Sequence, residues 1–509
     1  VSFPLYAHQE EGIAAILKRT DPERGRVAPG ALLVAFDMRM GKTRTVIVAA
    51  CELFRRGELD QVIVVCPNAV RGVWFDPELG QIAEYSDVPV LVTEYRAKER
   101  SWTSSRHDGA PMLRWVVTNY EFMRSQERRR ALIKAARSAR TMLVVDESSA
   151  VSSPSAQQTM AVWQVRKHCD RALLLNGTPE GDNPGDMYAQ FKILDPAIVG
   201  CQTWGEYKAT YAKVEKVKIW VKDPRTGKPR EREVEQIVSW HNLEDLGRRT
   251  APYVLRRLAS EVHDMPVALP PVPVTVTLGA ETWKVYKELR EDSQAWLGDN
   301  LRCSPAQAAV KVLRLSQVLS GFLGGVVDET DPGVNRVKWL GEERQRAVVA
   351  WVGERLREDP KFKVVLWCRF RAEAERLERA LSEMMETRLL IGGLNEAQRN
   401  SALQLLDSRT AGAGAAALVA TVRTGGMGLD MAAAATLAHV SHDYSRMART
   451  QADARILGPK QTRPVSYNDF VAEGPRGERT MDHVVLRALK NKRDLAALTA
   501  SEWLRELSH

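Results

Sequence analysis

One short segment constrains the fold more than any other: Phe36-Asp37-Met38-Arg39-Met40-Gly41-Lys42-Thr43, set between an apolar run and a helix-forming stretch. An apolar run (31–36) that leads into Gly-Lys-Thr and opens a helix (43–54) is the strand–loop–helix context of a phosphate-binding loop. In that context Gly41 lets the backbone approach phosphate oxygens, Lys42 reaches the β- and γ-phosphates, and the Thr43 hydroxyl ligates Mg²⁺. The helix N-terminus adds a favourable field for the anion. The strict pattern G-x-x-x-x-G-K-[ST] asks for glycine where this chain has Phe36. Gly-Lys-Thr alone is a weak signal, and chance is the competing reading; the strand and helix on either side weigh against it.

Around that segment the pattern alternates. Apolar runs at 31–36, 61–66, 114–118, 142–145 and 172–175 are short, β-branched or leucine-rich, and bounded by charge, Gly or Pro. Such runs read as buried strands of a parallel sheet, with helices such as 43–54 and 125–138 between them, so the class is α/β and doubly wound. The run at 141–145 ends in Asp146-Glu147. A phosphate-binding ATPase needs an acid there: Asp146 to hold Mg²⁺ through water, Glu147 to polarise the attacking water. The alternative is a strand that ends in a solvated acidic turn.

The style changes between 196 and 343. Segments 216–221 and 231–238 flank Asp223-Pro224-Arg225-Thr226-Gly227 and read as a β-hairpin with a basic tip. Helices follow at 282–296 and 305–319, with 269–273 (Leu-Pro-Pro-Val-Pro) as an extended connector. Strands return at 363–367, 416–421 and 436–441. The expected architecture is two α/β lobes, 1–200 and 344–509, joined through a mainly helical insert at 201–343 that carries the hairpin.

Composition narrows the class. With 44% hydrophobic and 27% charged residues over 509 positions, a sizeable core is available and a mostly disordered chain is excluded. The longest uncharged apolar stretch, 411–422, falls short of the about 18–20 residues a membrane span needs. Glu10, Glu11 and Lys18 argue against a secretory leader. Six dispersed cysteines without C-x-x-C argue against a zinc finger and a disulfide framework, and fit a reducing cytoplasm. A balance of 73 basic to 64 acidic residues, net +9, permits a polyanionic partner without demanding one.

Read in order, further segments join these. They are Leu5-Tyr6-Ala7-His8-Gln9; Val64-Val65-Cys66-Pro67 with Trp74; Thr118-Asn119-Tyr120-Glu121; Asp146-Glu147-Ser148-Ser149 with 152–156; and Leu173-Leu174-Leu175-Asn176-Gly177-Thr178-Pro179. Later come 253–257 with Leu269-Pro270, Lys363 to Cys368, Thr424-Gly425-Gly426-Met427-Gly428-Leu429-Asp430, Asp443-Tyr444-Ser445-Arg446, Gln451-Ala452-Asp453-Ala454-Arg455, Glu473-Gly474 and Thr480-Met481-Asp482. The series resembles the ordered motifs of superfamily 2 helicases and ATPases, in particular the Snf2-like (SWI2/SNF2) group of double-stranded DNA translocases. With the arginine-rich composition, it resembles a minimal phage or bacterial member.

The resemblance implies two RecA-like P-loop lobes and a DNA-dependent ATPase that couples hydrolysis to movement on duplex DNA, with ATP and Mg²⁺ as cofactors. It implies a cytoplasmic setting in a bacterial or phage-infected host cell, DNA as partner and no membrane contact, and leaves protein partners open. It implies Lys42, Asp146, Glu147 and Arg455 as catalytic, and Gln9, Met40, Gly41, Lys42, Thr43, Gly426, Asp430 and Gln451 as ATP-binding. Thr43 and Asp146 are the implied Mg²⁺ ligands, and Pro67, Asn68, Thr118, Arg369 and Thr424 the implied DNA contacts. Two other readings stay open: a strand-separating or branch-remodelling helicase, and an ATP-binding DNA clamp with little hydrolysis.

The chain departs from the family pattern at three places. Arg39 replaces a glycine of the loop, where backbone freedom counts. Ser148 and Ser149 replace the third and fourth residues of the acidic box. The second arginine of the last motif falls at Gly458, with Arg463 five residues on. Weaker cues are the Arg128-Arg129-Arg130 run, which reads as a solvated helix face, and His439 and His442, an H-x-x-H pair without a third ligand nearby. The dispersed tryptophans read as core.

Overall fold

The structure is a computed structural model that describes residues 5–18, 30–77, 80–95, 106–107, 110–177, 184–222, 229–262, 266–299, 305–327, 335–425, 430–458, 461–491 and 500–507. The chain divides into two compact units, Val1–His263 and Asp264–His509. Residues 201–263 thus pack with the first unit and 264–343 with the second.

The first unit is built on a seven-stranded, wholly parallel sheet. Its strands are β1 (Ala31–Phe36), β2 (Gln61–Cys66), β3 (Val90–Glu94), β4 (Leu113–Asn119), β5 (Thr141–Asp146), β6 (Arg171–Leu175) and β7 (Val254–Arg257), in the order β7-β1-β6-β5-β2-β4-β3. The strands β1, β2, β4, β5 and β6 are buried along their whole length. Helices cover both faces of such a sheet, which is why these runs are apolar throughout instead of alternating. Helix α1 (Ala7–Leu17) and helix α2 (Lys42–Arg55) come before and after β1. The hairpin is present, longer than expected, as an antiparallel ribbon of Ala212–Lys222 and Pro229–Trp240; its tip, 223–228, lies outside the described residues.

The second unit repeats the plan with six parallel strands: β8 (Val272–Thr277), β9 (Lys363–Cys368), β10 (Glu386–Leu390), β11 (Ala416–Thr421), β12 (Thr436–His439) and β13 (Ser466–Glu473), ordered β8-β13-β12-β9-β11-β10. The expected pair of α/β lobes, each a parallel sheet flanked by helices, is therefore observed. The expected helices lie at Ala280–Asp299 and Pro305–Leu319. One expectation changes: 269–273 is not a free connector throughout, because Val272 and Pro273 begin β8 and pair with Asn468 and Asp469. β8 is an edge strand, the place in a sheet where proline is tolerated.

A buried ion pair ties the second unit together. Arg344, on helix Glu343–Glu358, pairs with Asp482 on helix Met481–Lys490, and both are almost wholly buried. Arg344 Nη1 also donates to the Val440 carbonyl (2.9 Å), and Asp482 Oδ2 accepts from the Ala472 amide (3.0 Å). Removing one member of such a pair strands the other charge in the core. Arg344→Met is expected to destabilise the second unit by about 3–5 kcal/mol in thermal or urea unfolding, whereas Arg344→Met with Asp482→Leu loses much less.

Candidate active site

Parallel strands place all their carboxyl ends along one edge, where ligands of open α/β sheets bind. In the first unit that edge carries the loop after β1, Pro67 and Asn68 after β2, Asn119 at the end of β4, Asp146 and Glu147 at the end of β5, and Asn176 and Gly177 after β6. The loop turns by left-handed backbone at Arg39 (φ 67°) and Gly41 (φ 79°). A Cβ on Gly41 would lie 2.0 Å from Gln9 Nε2 and would force Gln9 off the loop, and the left-handed angle itself favours glycine. The Arg39 angle has a cost, because a side-chain-bearing residue is held in a region that glycine occupies freely.

Helix α1 grips this loop. Gln9 Nε2 donates to the Met40 carbonyl (3.2 Å), Gln9 Oε1 accepts from the Tyr6 amide (3.2 Å), and His8 Nε2 sits 2.8 Å from the same Met40 carbonyl. Lys42 Nζ donates to the carbonyls of Phe36 (2.9 Å) and Asp37 (3.2 Å), which holds it over the loop. Edge strand β7 grips from the other side: the Asp37 amide donates to the Arg257 carbonyl (2.9 Å) and Asp37 Oδ2 accepts from the Ala259 amide (2.8 Å). Arg257 also pairs with Glu11 of α1. Gly177 closes against the loop so tightly that a Cβ there would meet Met38 Cγ at 2.9 Å and Lys42 Nζ at 3.3 Å.

The acid at the end of β5 is Asp146, 6% exposed. Trp74 Nε1 donates to its Oδ2 (2.9 Å), and the Tyr120 hydroxyl donates to its backbone carbonyl (2.6 Å). Burial first, and the neighbouring Glu147 charge second, push the Asp146 carboxyl up to about 6, against the pull of the Trp74 bond and the Lys42 charge. Glu147 is left-handed (φ 50°), a strained backbone of the kind found where a side chain must be aimed. Ser148 is buried and donates to Gln190 Oε1 (2.7 Å) on helix Pro184–Leu194. The motif pattern marks Trp74 and Tyr120 only as landmarks; the structure makes them the groups that hold the acid. The available signal is chemical, since a buried indole N–H or phenol O–H must find an acceptor.

These residues fit a magnesium–triphosphate. A hydroxyl (Thr43) and a buried carboxylate short of positive charge (Asp146) are hard oxygen donors, the type Mg²⁺ takes. Mg²⁺ bound with a nucleotide takes one or two protein oxygens and shares the rest of its coordination with phosphates and water.

The remaining expected residues fall as follows. In the second unit Arg369, Thr424, Asp430, Gln451 and Arg455 all lie in segments that follow the carboxyl ends of its strands. Arg455 is 5% exposed, and its carbonyl accepts from the Met431 amide (3.2 Å). Asp430 accepts from Ser408 Oγ (2.9 Å) and the Ala432 amide (3.0 Å). Gln451 is half-buried on helix Arg446–Asp453, while Gly426 and 427–429 lie outside the described residues. Arg463 donates to the Ala433 carbonyl (2.9 Å) within its own unit.

Among the expected nucleic-acid contacts, Pro67 is half-buried and Asn68 exposed, with Asn119 Nδ2 donating to Asn68 Oδ1 (2.9 Å). Thr118 is fully buried in β4, whereas Asn68, after β2, is exposed. Arg369 donates to the His442 carbonyl (3.2 Å) and stacks 3.5 Å over the Tyr444 ring; the Thr421 hydroxyl donates to that of Thr424 (3.0 Å).

The weaker cues resolve structurally. His439 meets Asp453 (2.7 Å) and His442 the Phe470 carbonyl (3.0 Å). Arg128 stacks on Phe122, and Arg129 bonds the Met123 carbonyl (2.9 Å). Trp74, Trp115, Trp367 and Trp503 are core.

A family model described as SNF2-related domain matches residues 8–319. The TATA-binding protein-associated factor mot1 of Schizosaccharomyces pombe is 21% identical, covering 94% of this chain and 26% of its own length. The DNA annealing helicase and endonuclease ZRANB3 of Homo sapiens is 25% identical over 51% of this chain and 21% of its own, and the DNA repair and recombination protein RAD54B of Gallus gallus 24% over 52% and 27%. The chain thus spans about a quarter of the length of these relatives. A solved Sulfolobus solfataricus SWI2/SNF2 ATPase core in complex with dsDNA aligns over 100% of this chain and 97% of that chain at 17% identity, with a TM-score of 0.38.

Two substitutions test the strain in this edge. A carboxyl raised from 3.8 to about 6 favours folding less once ionised, by about 3 kcal/mol. Asp146→Asn is therefore expected to unfold at the same temperature as wild type below about pH 4 and at a higher one above about pH 6, the gap opening between the two. Arg39→Gly is expected to gain up to about 1 kcal/mol, relief of the left-handed angle less the greater freedom of unfolded glycine; a lower transition temperature would refute it.

Proposed function

The chain belongs to the SNF2-related family, and on that premise we propose that it is an ATP-driven motor on duplex DNA, hydrolysing ATP in response to DNA and converting the cycle into movement. The observation that carries the reading is the single sheet edge that gathers Gln9, Met40, Gly41, Lys42, Thr43, Asp146 and Glu147. That is a base-side clamp, a phosphate cradle at a helix N-terminus, and two acids, in one place.

In this reading Gln9 meets the adenine and Met40 and Gly41 form the cradle. Lys42 leaves its two loop carbonyls for the terminal phosphates, and Glu147 orients the water and takes its proton. Thr43 and Asp146 would hold Mg²⁺, whose contribution is to neutralise charge on the phosphate oxygens. Arg455 supplies the guanidinium that steadies charge on the transferred phosphoryl group, with Gly426, Asp430 and Gln451 in the same motif set. Pro67, Asn68, Thr118, Arg369 and Thr424 belong to the DNA side; for Thr118 the burial makes an indirect role, through the strand end, the one that fits. Contacts there would fall on phosphates, since a motor must advance without reading sequence.

A second reading has its own observation. Gly458 stands at the second arginine position, and Arg463 is engaged with the Ala433 carbonyl. A chain with a weakened finger would bind ATP on DNA and hydrolyse it slowly. The test is ATP turnover with and without duplex, single-stranded and forked DNA. Duplex-stimulated turnover that falls at least about 100-fold in Lys42→Ala, and about 1,000-fold in Arg455→Ala, is expected for the motor. Tight ATP binding without turnover on any nucleic acid would replace it with the clamp, and stimulation by forks alone with strand separation would make it a helicase.

A further inference from the structure

Glu473-Gly474, at the end of β13, and Thr480, which caps helix Met481–Lys490, are separated by the five residues 475–479, Pro-Arg-Gly-Glu-Arg. These five residues form a defined turn. The Gly477 amide donates to the Gly474 carbonyl (2.9 Å), the Gly474 amide to the Glu478 carbonyl (2.9 Å), and Glu478 Oε2 accepts from the Arg476 amide (2.8 Å). Gly477 is left-handed (φ 78°). The base of the turn is seated on helix Ala280–Asp299: a Cβ at Gly474 would lie 2.9 Å from Trp283, which stacks on Tyr286, and the Tyr286 hydroxyl accepts from the Met481 amide (2.8 Å).

This arrangement walls a cavity of about 210 Å³ wholly within the second unit. Arg290 lines it from helix Ala280–Asp299, Arg479 from the turn, and Arg487 from helix Met481–Lys490; Tyr286 offers a hydroxyl, while that of Thr480 donates to the Ala472 carbonyl (2.6 Å). Glu506, which meets Arg487 at 3.3 Å, is the one carboxylate on the wall among the described residues. His483 is committed elsewhere: its Nδ1 accepts from the Thr480 amide (3.2 Å) and its Nε2 faces Glu473 (3.6 Å). Among the described residues, three guanidiniums from three separate elements and one carboxylate line a space large enough for a tetrahedral anion. Guanidinium pairs and hydroxyls match phosphoryl oxygens in geometry as well as in charge.

We infer that this pocket binds a phosphoryl group, either a backbone phosphate of nucleic acid or a free polyphosphate, at a site separate from the nucleotide loop of the first unit. Nothing in the ATP site depends on it, so its test stands apart from that of the motor.

The experiment compares the full chain with Arg479→Ala/Arg487→Ala. Arg476→Ala, on the same turn but absent from the pocket wall, is the control, and far-UV circular dichroism checks the fold of each. Duplex binding is measured against KCl concentration, and the thermal transition against inorganic pyrophosphate. If a backbone phosphate is the ligand, the double variant lowers the slope of log affinity against log salt by about 1, equally for unrelated sequences, while the control does not. If free polyphosphate is the ligand, pyrophosphate raises the transition temperature of wild type and control saturably, and the double variant loses the shift while its salt slope stays. Either result supports the site. A double variant that matches wild type in both measurements overturns it, as does a control that changes as much as the double variant.

Discussion

Parallel strand pairing is the constraint on which the rest of the first unit depends. It puts every carboxyl end at one edge, and the register makes the edge specific: Leu175 of β6 lies level with Val34 of β1 on one side and with Asp146 of β5 on the other. A slip of one residue would turn every side chain of a strand to the opposite face. Asp146 would then lose Trp74, and the loop that begins at Asp37 would no longer face the acid. The unbroken apolar faces of β1, β5 and β6 make such a slip costly, because the buried set has no polar side on which to land.

The same edge shows how fold and chemistry oppose one another. The fold would be more comfortable without an ionised carboxylate at Asp146 and without left-handed angles at Arg39 and Glu147. A polyphosphate with its counter-ion needs the reverse: a carboxylate held ready, and a loop already bent to receive oxygens. Trp74, Tyr120, Gln9 and the Asp37 bonds to β7 restrain groups that would relax if left to themselves. Sites that combine strain with over-determined support are where binding energy does not go into reorganisation.

Much of this was legible from the chain. The central strands of both sheets are continuous apolar runs, which leave little choice of element, and Lys42 and Asp146 follow from their positions after such runs. What stayed hidden has a common physical cause. The strand Val254–Arg257 is half-exposed and ends in two arginines, Val272–Thr277 carries a proline at an edge, and Ser466–Glu473 buries Asn468 and Asp469 among its apolar residues. Each takes its identity from the neighbour it pairs with, which local pattern does not encode. The supports of Asp146 are likewise tertiary: Trp74 is 72 positions away in sequence and Tyr120 is 26. Thr118 lies in a strand covered on both faces, so its side chain is buried whichever face it takes, and the motif pattern alone does not encode that.

Edge strand β7 has a mechanical meaning. It is the last strand of the first unit, and the polypeptide passes into the second unit at His263–Asp264, a few residues beyond Ala259. Ala259 and Arg257 are the residues whose backbone groups hold Asp37. Any displacement of this edge strand would therefore reach Asp37, the residue that opens the loop after β1, before it reached the interior of the sheet.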